Sequence, residues 1–205
     1  MTCIVSANLG DFDKRQEHVP QMDAYFPYTF TDENYPPRKC SMTPRLQARI
    51  PKCFSWQMVP GHDTYLWIDS SCIMNQPNTL RWFIRKLGNA DMAVFKHPNR
   101  ETVQQEADYL KHRLHISCPY ITPRYTNEDI DGQLAEVDPK AVLYASTSFI
   151  YRNTPEVQAV LKEWWYHISR YHSIDQLSFP WVTRNLKVNV IPDKYMKTKY
   201  LKYVR

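Results

Sequence analysis

The stretch Thr64–Ser71, TYLWIDSS, joins an apolar run to an abrupt polar end. Aromatic and β-branched residues in the run favour a β-strand, and the polar residues that follow indicate that the strand stops at Asp69. Ligands of open α/β sheets bind at the carboxyl ends of the strands. Asp69 would therefore lie where a carboxylate could hold Mg²⁺ or Mn²⁺ beside a diphosphate. It could instead cap the turn through Ser70 or Ser71, and spacing alone leaves both interpretations open.

Strand-like and helix-like segments alternate around this stretch in the first half of the chain. Further strands are predicted at Thr2–Ala7, Tyr28–Thr31, Met92–Phe95, Val142–Tyr144, Ser148–Tyr151 and Leu186–Ile191. Helices are predicted at Pro44–Phe54, Thr79–Leu87, Glu101–Leu114, Pro155–Ser169 and Gln176–Thr183. The polar stretch Pro119–Pro139 is predicted to be a long loop or lid. This order predicts a three-layer α/β domain, in which helices flank a central, mostly parallel mixed sheet.

Composition limits the possible functions. The chain has 205 residues, which fits one domain with a sizeable core. Only 4 residues are glycine, and neither GxGxxG nor GxxxxGK[ST] occurs. The common glycine-rich phosphate loops are therefore excluded, and any phosphate must be bound by another device.

The formal net charge of +5 is modest, and much of the positive charge lies at the end of the chain. The basic residues there are Lys194, Lys197, Lys199, Lys202 and Arg205. Such a patch can attract nucleic acid, a membrane surface or a small anionic substrate, and it can equally be a solvated tail.

The five cysteines are scattered and form no CxxC pair, which argues against a zinc site or a redox motif. Cys3 and Cys72 lie in apolar runs and are expected to be buried. This usage indicates a reducing compartment. Neither a signal peptide nor an apolar run of the ~20 residues that a membrane span needs is present. We therefore expect a cytosolic protein, the host cytosol if the chain is viral, or a piece of a longer chain.

Four segments carry a family resemblance. YLWIDSSCIM, residues 65–74, resembles the DxD segment of GT-A glycosyltransferases. Three more segments resemble the glycosyltransferase-like proteins related to plant mucilage and pollen TOD-type enzymes: Lys96–Arg100 with Glu106 and Ala107, Ser148–Tyr151, and Asp175–Phe179. Their order and spacing match along Thr29 to Val182. The short form without an anchor is similar to glycosyltransferase domains of large algal viruses, which decorate their own capsid proteins.

The resemblance implies one GT-A domain over residues 1–205, with a nucleotide-binding half at 1–90 and an acceptor half at 91–205. It implies a metal-dependent hexosyl- or deoxyhexosyltransferase that uses a UDP-sugar donor. The acceptor would be a glycan or glycoprotein, including a viral capsid glycan, and neither nucleic acid nor a membrane span is expected. No general base stands in an evident place, which favours retention of the anomeric configuration.

The implied cofactor is Mn²⁺ or Mg²⁺, anchored by Asp69. Ser71 stands where the family often has a second acidic residue. Its hydroxyl, the phosphates of the donor and water would then complete the metal shell. Asp193, just past the last predicted strand, is the best candidate for a late ligand, although it could equally be a turn residue after Pro192.

Five side chains of the second half are candidates for contact with the sugar or the acceptor. Asp175 and Gln176 would lie beside the transferred sugar, although an acidic residue there could simply cap the next helix. His97 and Arg100 would bind phosphate or acceptor hydroxyls, although a histidine after a strand is often structural. Glu106 could pair with Arg100 or touch the sugar.

The nucleotide is assigned to the first half. Ala7 and Asn8 would offer backbone groups to the base, and Asp32 would accept a hydrogen bond from uracil or ribose. Arg45 and Arg49 lie four residues apart, a spacing suited to ribose or diphosphate contact, or to a solvated basic face. The full set assigned to the nucleotide-sugar is Ala7, Asn8, Asp32, Arg45, Arg49, Asp69, Ser70 and Ser71.

Two other functions remain possible at this stage. The basic, tyrosine-rich tail and the high aromatic content would suit a nucleic-acid or polyanion-binding module. Ser71 would suit a degenerate transferase fold that is kept as an interaction domain. Nucleotide affinity with and without Mn²⁺ separates these alternatives from an active transferase.

Overall fold

The structure, a computed structural model, describes residues 1–10, 13, 17–36, 42–115, 125–171, 174–192 and 197–204. Its strands are β1 Thr2–Asn8, β2 Tyr25–Thr31, β3 Thr64–Ile68, β4 Cys72–Met74, β5 Met92–Lys96, β6 Tyr144–Arg152, β7 Val188–Ile191 and β8 Leu201–Tyr203. Its helices are α1 Pro44–Gln47, α2 Arg49–Met58, α3 Thr79–Leu87, α4 Val103–His115, α5 Asn127–Leu134, α6 Pro155–Arg170 and α7 Phe179–Val182.

The main sheet has the strand order β2-β1-β3-β6-β5-β7. Neighbouring strands are parallel except at β6, which runs antiparallel to both β3 and β5. The carboxyl ends of the other strands therefore meet at one edge of the sheet. The predicted class, a central and mostly parallel mixed sheet flanked by helices, is confirmed. The division into halves at residues 1–90 and 91–205 stays a prediction.

Each face of the sheet is covered by its own apolar layer, as the alternation of side chains along a strand requires. On one face, Val5 and Trp67 pack against α2 and α6, with Leu161 and Trp164 fully buried. On the other face, Ile4 and Leu66 pack against α3 and the β4–β8 pair. Helix α6 begins as predicted, because Thr154 caps the amide of Val157 and Pro155 follows at the first helical position.

One irregularity of the sheet lies next to the candidate site. The pairing of β5 with β6 slips after Val94, so that Phe95 lies opposite Ala145 and not opposite Ser148. The residues between Ala145 and Phe149 therefore bulge away from β5. Bulges of this kind re-aim side chains and are frequent beside active sites. Here the bulge carries Ser146, whose hydroxyl bonds to Asp175.

Four sequence predictions need correction. The stretch predicted as a loop, Pro119–Pro139, contains helix α5, because Thr126 and Asp129 form a capping box and Ile130 is buried. The strand predicted at 148–151 belongs to the longer strand β6, which includes Tyr144 but not Val142 and Leu143 of the strand predicted at 142–144. The helix predicted at Pro44–Phe54 is two helices, and the second continues past a non-helical Phe54. The tail is not wholly solvated, since β8 pairs with β4 and buries Leu201.

Among the described residues, no helix has the length and apolar character that crossing a membrane would take. Cys3 and Cys72 are buried, as predicted.

Candidate active site

Four charged side chains from three parts of the chain meet at the carboxyl edge of the sheet. Asp69 follows β3, Arg49 and Lys52 lie on one face of α2, and Asp175 precedes α7. Spacing of three residues puts Arg49 and Lys52 side by side on the helix. Two carboxylates and two cations therefore converge within ion-pair distance.

Lys52 occupies the interior of this cluster. Its side chain is 0% exposed, and its Nζ lies 2.7 Å from Asp175 Oδ2 and 3.4 Å from Asp69 Oδ1. Nζ also donates to Ser146 Oγ at 3.3 Å. The rings of two tryptophans lie beneath it, with centroids 5.7 Å (Trp67) and 5.6 Å (Trp164) from Nζ. A buried ammonium needs oxygen partners for its protons, and here it has three.

Asp175 is held by hydrogen bonds to both of its carboxylate oxygens. Ser146 Oγ donates to Oδ1 at 2.7 Å, Lys52 Nζ donates to Oδ2, and Arg49 Nε lies 3.3 Å from Oδ2. The indole of Trp164 donates to the backbone carbonyl of Asp175 at 2.8 Å. Burial by itself raises the pKa of Asp175, but the charges of Arg49 and Lys52 and the two hydrogen bonds outweigh it and hold the pKa well below its usual value.

Asp69 is the outer carboxylate of the cluster. Its side chain is 26% exposed, against 16% for Arg49 and 6% for Asp175. The indole of Trp67 donates to Oδ1 at 2.7 Å, and both cations of α2 also lie nearest to Oδ1. Within the described residues, the polar side-chain contacts of Asp69 thus concentrate on one oxygen. A ligand that approaches from solvent meets Asp69 and Arg49 before it meets Asp175.

A second polar cluster follows β5 at the same edge. Arg100 forms an ion pair with the buried Glu106, as the sequence suggested, and its guanidinium lies 4.0 Å from the centroid of the Tyr109 ring. His97 accepts at Nδ1 from the amides of Asn99 and Arg100 at 3.3 and 3.0 Å. Burial, helped by the Arg100 charge, lowers the pKa of His97 to about 4, so the imidazole is neutral at pH 7.

The pKa of Glu106 is shifted in the opposite direction to that of Asp175. Burial raises the pKa of Glu106, the ion pair with Arg100 opposes that rise, and the negative charge of Asp175 adds to it. The two carboxyl groups are thus close enough to interact, and their environments push their pKa values apart.

A cavity of about 450 Å³ opens at the ends of β1 and β2. The residues that line it are Ser6, Asn8, Glu17, His18, Thr29, Thr31, Glu33, Asn34, Ser70 and Cys72, and most of them have polar side chains. Two residues that the sequence assigned to the nucleotide, Asn8 and Ser70, are therefore in its wall. Both also contact Asp13: Asn8 Nδ2 donates to its carbonyl at 2.7 Å, and Ser70 Oγ donates to its Oδ2 at 2.5 Å.

Three other nucleotide candidates, Asp32, Ala7 and Arg45, are not among the residues that line this cavity in the described part of the chain. Asp32 accepts from the amide of Gly10 with both carboxylate oxygens, at 3.0 and 2.9 Å, and so fastens the loop after β1. Gly10 has φ of 71°, and a Cβ there would lie 2.8 Å from Pro44 Cβ, so the loop needs a glycine at this point. Ala7 is buried in the core beside Phe30. Arg45 is half-buried in α1, one helical turn before Arg49.

The predicted metal ligands are not all gathered at Asp69. Ser71 is buried, and its carbonyl accepts from the amide of Val204 at 2.8 Å in the turn that leads into β4. Asp193 lies outside the described residues, so its role stays a prediction. Within the described ranges, no three His, Cys, Asp or Glu side chains lie close enough to form a metal-binding group. Of the predicted ligands that the structure describes, Asp69 is the one that offers a carboxylate to a divalent cation.

Two members of the central cluster were missed from the sequence, Lys52 and Ser146. A signal for Lys52 existed, because it interrupts an otherwise apolar helix segment, Ile50–Phe54, three residues after Arg49. No local signal pointed to Ser146, since its position depends on the bulge in β6. Gln176 is half-buried beside Asp175 in the chain.

A family match identifies the fold that carries this site. The model of the TOD1/MUCI70 glycosyltransferase-like domain matches residues 39–202, which include Arg49, Lys52, Asp69 and Asp175. The chain belongs to this family. It is thus a glycosyltransferase-like domain, and its charged cluster lies wholly within the matched region.

Two solved structures are also similar to this domain. A glycosyltransferase involved in the glycosylation of the major capsid of PBCV-1 matches with 10% identity and a TM-score of 0.48, covering 93% of this chain and 81% of the other. A protein from STIV matches with 9% identity and a TM-score of 0.37 over the same shares of the two chains. No curated protein sequence matches the domain.

Proposed function

We propose that this domain transfers a sugar from a UDP-sugar donor to a glycan or glycoprotein acceptor. The reaction would take place at the carboxyl edge of the sheet, beside Asp69, Arg49 and Asp175. The observation that carries the proposal is the convergence of two carboxylates and two cations on a strand-end aspartate, inside a glycosyltransferase-like domain. Sites of this kind stabilise the charge that develops as a diphosphate leaves.

The donor would lie across the ends of β1 and β3. The cavity at Asn8 and Ser70 has a volume in the range of small-molecule sites and would take the nucleoside. Arg49 is the partly exposed cation of the cluster, and a guanidinium is well suited to phosphate oxygens. We therefore assign the diphosphate to Arg49.

A divalent cation, Mn²⁺ or Mg²⁺, would be held by Asp69, and when bound it supplies charge neutralisation for the leaving diphosphate. Support comes from the exposure of this carboxylate and from the crowding of its protein contacts onto Oδ1. Ser71 and Asp193 remain proposals as further ligands.

Asp175 would stabilise positive charge on the sugar. Its low pKa makes it a permanent anion and a poor proton acceptor, which suits electrostatic stabilisation of an oxocarbenium-like transition state. Without a base in this place, retention of configuration is the outcome that we favour. Gln176 would help to orient the sugar from the adjacent position.

The acceptor would approach from β5. Strands β3 and β5 are separated by β6 alone, so His97 lies roughly 10 Å from Asp69 across two strand spacings. The neutral imidazole and the Arg100 guanidinium can both donate to acceptor hydroxyls. The raised pKa of Glu106 adds a buried carboxyl on this side of the site.

Nucleotide binding is expected to depend on a divalent cation. Calorimetric titration of UDP should give at least ~10-fold tighter binding in Mn²⁺ than in EDTA, because an uncompensated diphosphate would meet the Asp69 carboxylate. ADP and GDP serve as matched competitors that keep the diphosphate and change the base. Equal UDP affinity in EDTA and in Mn²⁺ would refute the proposed metal requirement. If UDP binds under neither condition, the assignment of UDP as the donor nucleotide is wrong.

Nucleic acid is expected not to bind specifically. The basic tail is partly built into the β4–β8 pair, where Lys202 pairs with Ile73. Fluorescence anisotropy with labelled DNA and RNA at about 0.15 M salt should detect only weak association, with dissociation constants on the order of 10⁻⁴–10⁻⁶ M. A tighter, sequence-dependent complex would promote the nucleic-acid alternative over the transferase.

A further inference from the structure

We propose that Lys52 is a positioning residue for sugar transfer: its ammonium, sealed from solvent, holds the Asp175 carboxylate ionised and fixed behind Arg49 and Asp69. The inference rests on the proposed transferase function, and it adds a residue that neither the sequence nor the family match assigned.

Lys52 is fully buried, and its charge is satisfied by neighbouring oxygens. An ammonium removed from water is unfavourable unless it is paired and hydrogen-bonded. Nζ has three oxygens around it, from Asp175 at 2.7 Å, Ser146 at 3.3 Å and Asp69 at 3.4 Å. Three acceptors match the three protons of an ammonium. The rings of Trp67 and Trp164 add a further favourable contact for a cation.

Lys52 also joins three parts of the chain together. Its partners come from the end of β3, from the bulge of β6 and from the segment before α7. Ser146 donates to one oxygen of Asp175 while Lys52 donates to the other, so the carboxylate has no freedom to rotate. Arg49 then contacts the same oxygen as Lys52, on the side nearer to solvent.

The burial of Lys52 excludes direct contact with substrate. A side chain with 0% exposure, enclosed by Trp67, Trp164 and Asp175, leaves a phosphate or sugar no approach to Nζ. Arg49 has the exposure that direct contact requires. Lys52 acts through its neighbours, and its loss should affect turnover more than donor affinity.

The test uses three variants of the full chain. Lys52→Met keeps the length and removes the charge, Lys52→Arg keeps the charge, and Lys52→Met/Asp175→Asn removes both members of the pair. Lys86→Met is the control, because Lys86 Nζ also lies over a tryptophan, 5.5 Å from the Trp82 centroid on the other face of the sheet. Each protein is assayed for UDP affinity, transfer rate, melting temperature and the carboxyl ¹³C shift of Asp175 against pH.

In Lys52→Met, the titration of Asp175 should move upward by roughly one pH unit or more, since a neighbouring opposite charge has been removed. Transfer should fall at least ~10-fold in kcat while UDP affinity stays within about twofold. An acid limb should appear in its pH profile, because a carboxylate with a raised pKa is lost at a higher pH. Lys52→Arg should keep Asp175 ionised to a lower pH than Lys52→Met does, and Lys86→Met should match the wild type.

If Lys52→Met folds poorly, the melting temperature of the double variant still tests the proposal. The double variant removes the buried carboxylate that has lost its nearest cation, and it should recover most of the melting temperature without recovering transfer. If Lys52 only fills space, Lys52→Met will be active and Lys52→Arg will be the damaged protein, and the proposal is wrong. An unmoved Asp175 titration in folded Lys52→Met also overturns it. The titration needs no turnover, so an inactive wild type would refute the transferase function separately.

Discussion

Replacing Asp69 by Ala is expected to abolish sugar transfer and to leave the fold intact. The carboxylate lies at the end of β3 and is partly exposed, so its removal opens no cavity in the core. The structural loss is the oxygen that accepts from the Trp67 indole and from the buried Lys52 ammonium, worth about 1 kcal/mol for each hydrogen bond. The catalytic loss should be far larger, at least ~100- to 1000-fold in kcat, because the group faces the developing charge of the leaving diphosphate. Circular dichroism, melting temperature and transfer rate are the measurements.

Two further variants make the result specific to Asp69. Asp69→Asn keeps the shape and one oxygen that can accept from Trp67 and Lys52, so it should be more stable than Asp69→Ala and still inactive. Asp108→Ala removes an exposed carboxylate from α4 that accepts from a neighbouring helix side chain, Gln104, and it should be fully active. Normal turnover by either Asp69 variant would place the donor elsewhere and refute the assignment of the site to this edge of the sheet.

The sequence predicted those parts of the fold that local chemistry determines. Strand β3 and helix α3 begin and end at the predicted residues, since each is an apolar segment closed by a strong stop signal, Asp69 and Gly88. Strands β4 and β8 were missed, because a strand of three residues has too little periodicity to be distinguished from a loop. Helix α5 was missed because its capping box lies in a polar stretch where only Ile130 and Gln133 are buried.

The candidate site was likewise predicted only in part. Asp69, Arg49 and Asp175 were each flagged by position along the chain, and the structure brings all three together. Their common partner Lys52 was not, because lysine on a predicted helix is normally solvated and only tertiary packing of two tryptophans encloses it. Ser146 depends on a register slip between two strands that are distant in sequence. No single-sequence pattern encodes such a slip, since pairing register is a long-range property.

The structure also changes the alternatives for Asp175. The sequence left open whether this carboxylate caps a helix or serves the sugar. Its described side-chain partners are Lys52, Ser146 and Arg49, and the cap position of α7 belongs to Ser178. A purely capping role would need a bond to a backbone amide at the start of a helix. The competing explanation for Asp175 is now a structural ion pair rather than a cap.

Asp175→Asn is accordingly expected to keep UDP affinity within about twofold and to slow transfer by at least ~100-fold, the scale of losing one well-placed electrostatic group. The variant should also be less stable. Lys52 loses its nearest anion, and breaking a buried pair on one side costs up to about 3–5 kcal/mol. Asp69 and Ser146 remain as acceptors for Nζ, so we expect the lower part of that range. Transfer is therefore measured below the melting transition, with the folded fraction determined in the same buffer.

The pH dependence of stability provides an independent check. The folded pKa of Asp175 lies below its ordinary value of 3.8, so its ionised form stabilises the fold above that value and the contribution is lost as pH falls towards the folded pKa. The gap in unfolding free energy between wild type and Asp175→Asn should be constant from about pH 8 to pH 5 and should shrink below about pH 4. A structural ion pair alone predicts this stability gap with normal kcat in the folded protein. A folded Asp175→Asn that turns over normally would thus leave the ion pair in place and remove Asp175 from the reaction.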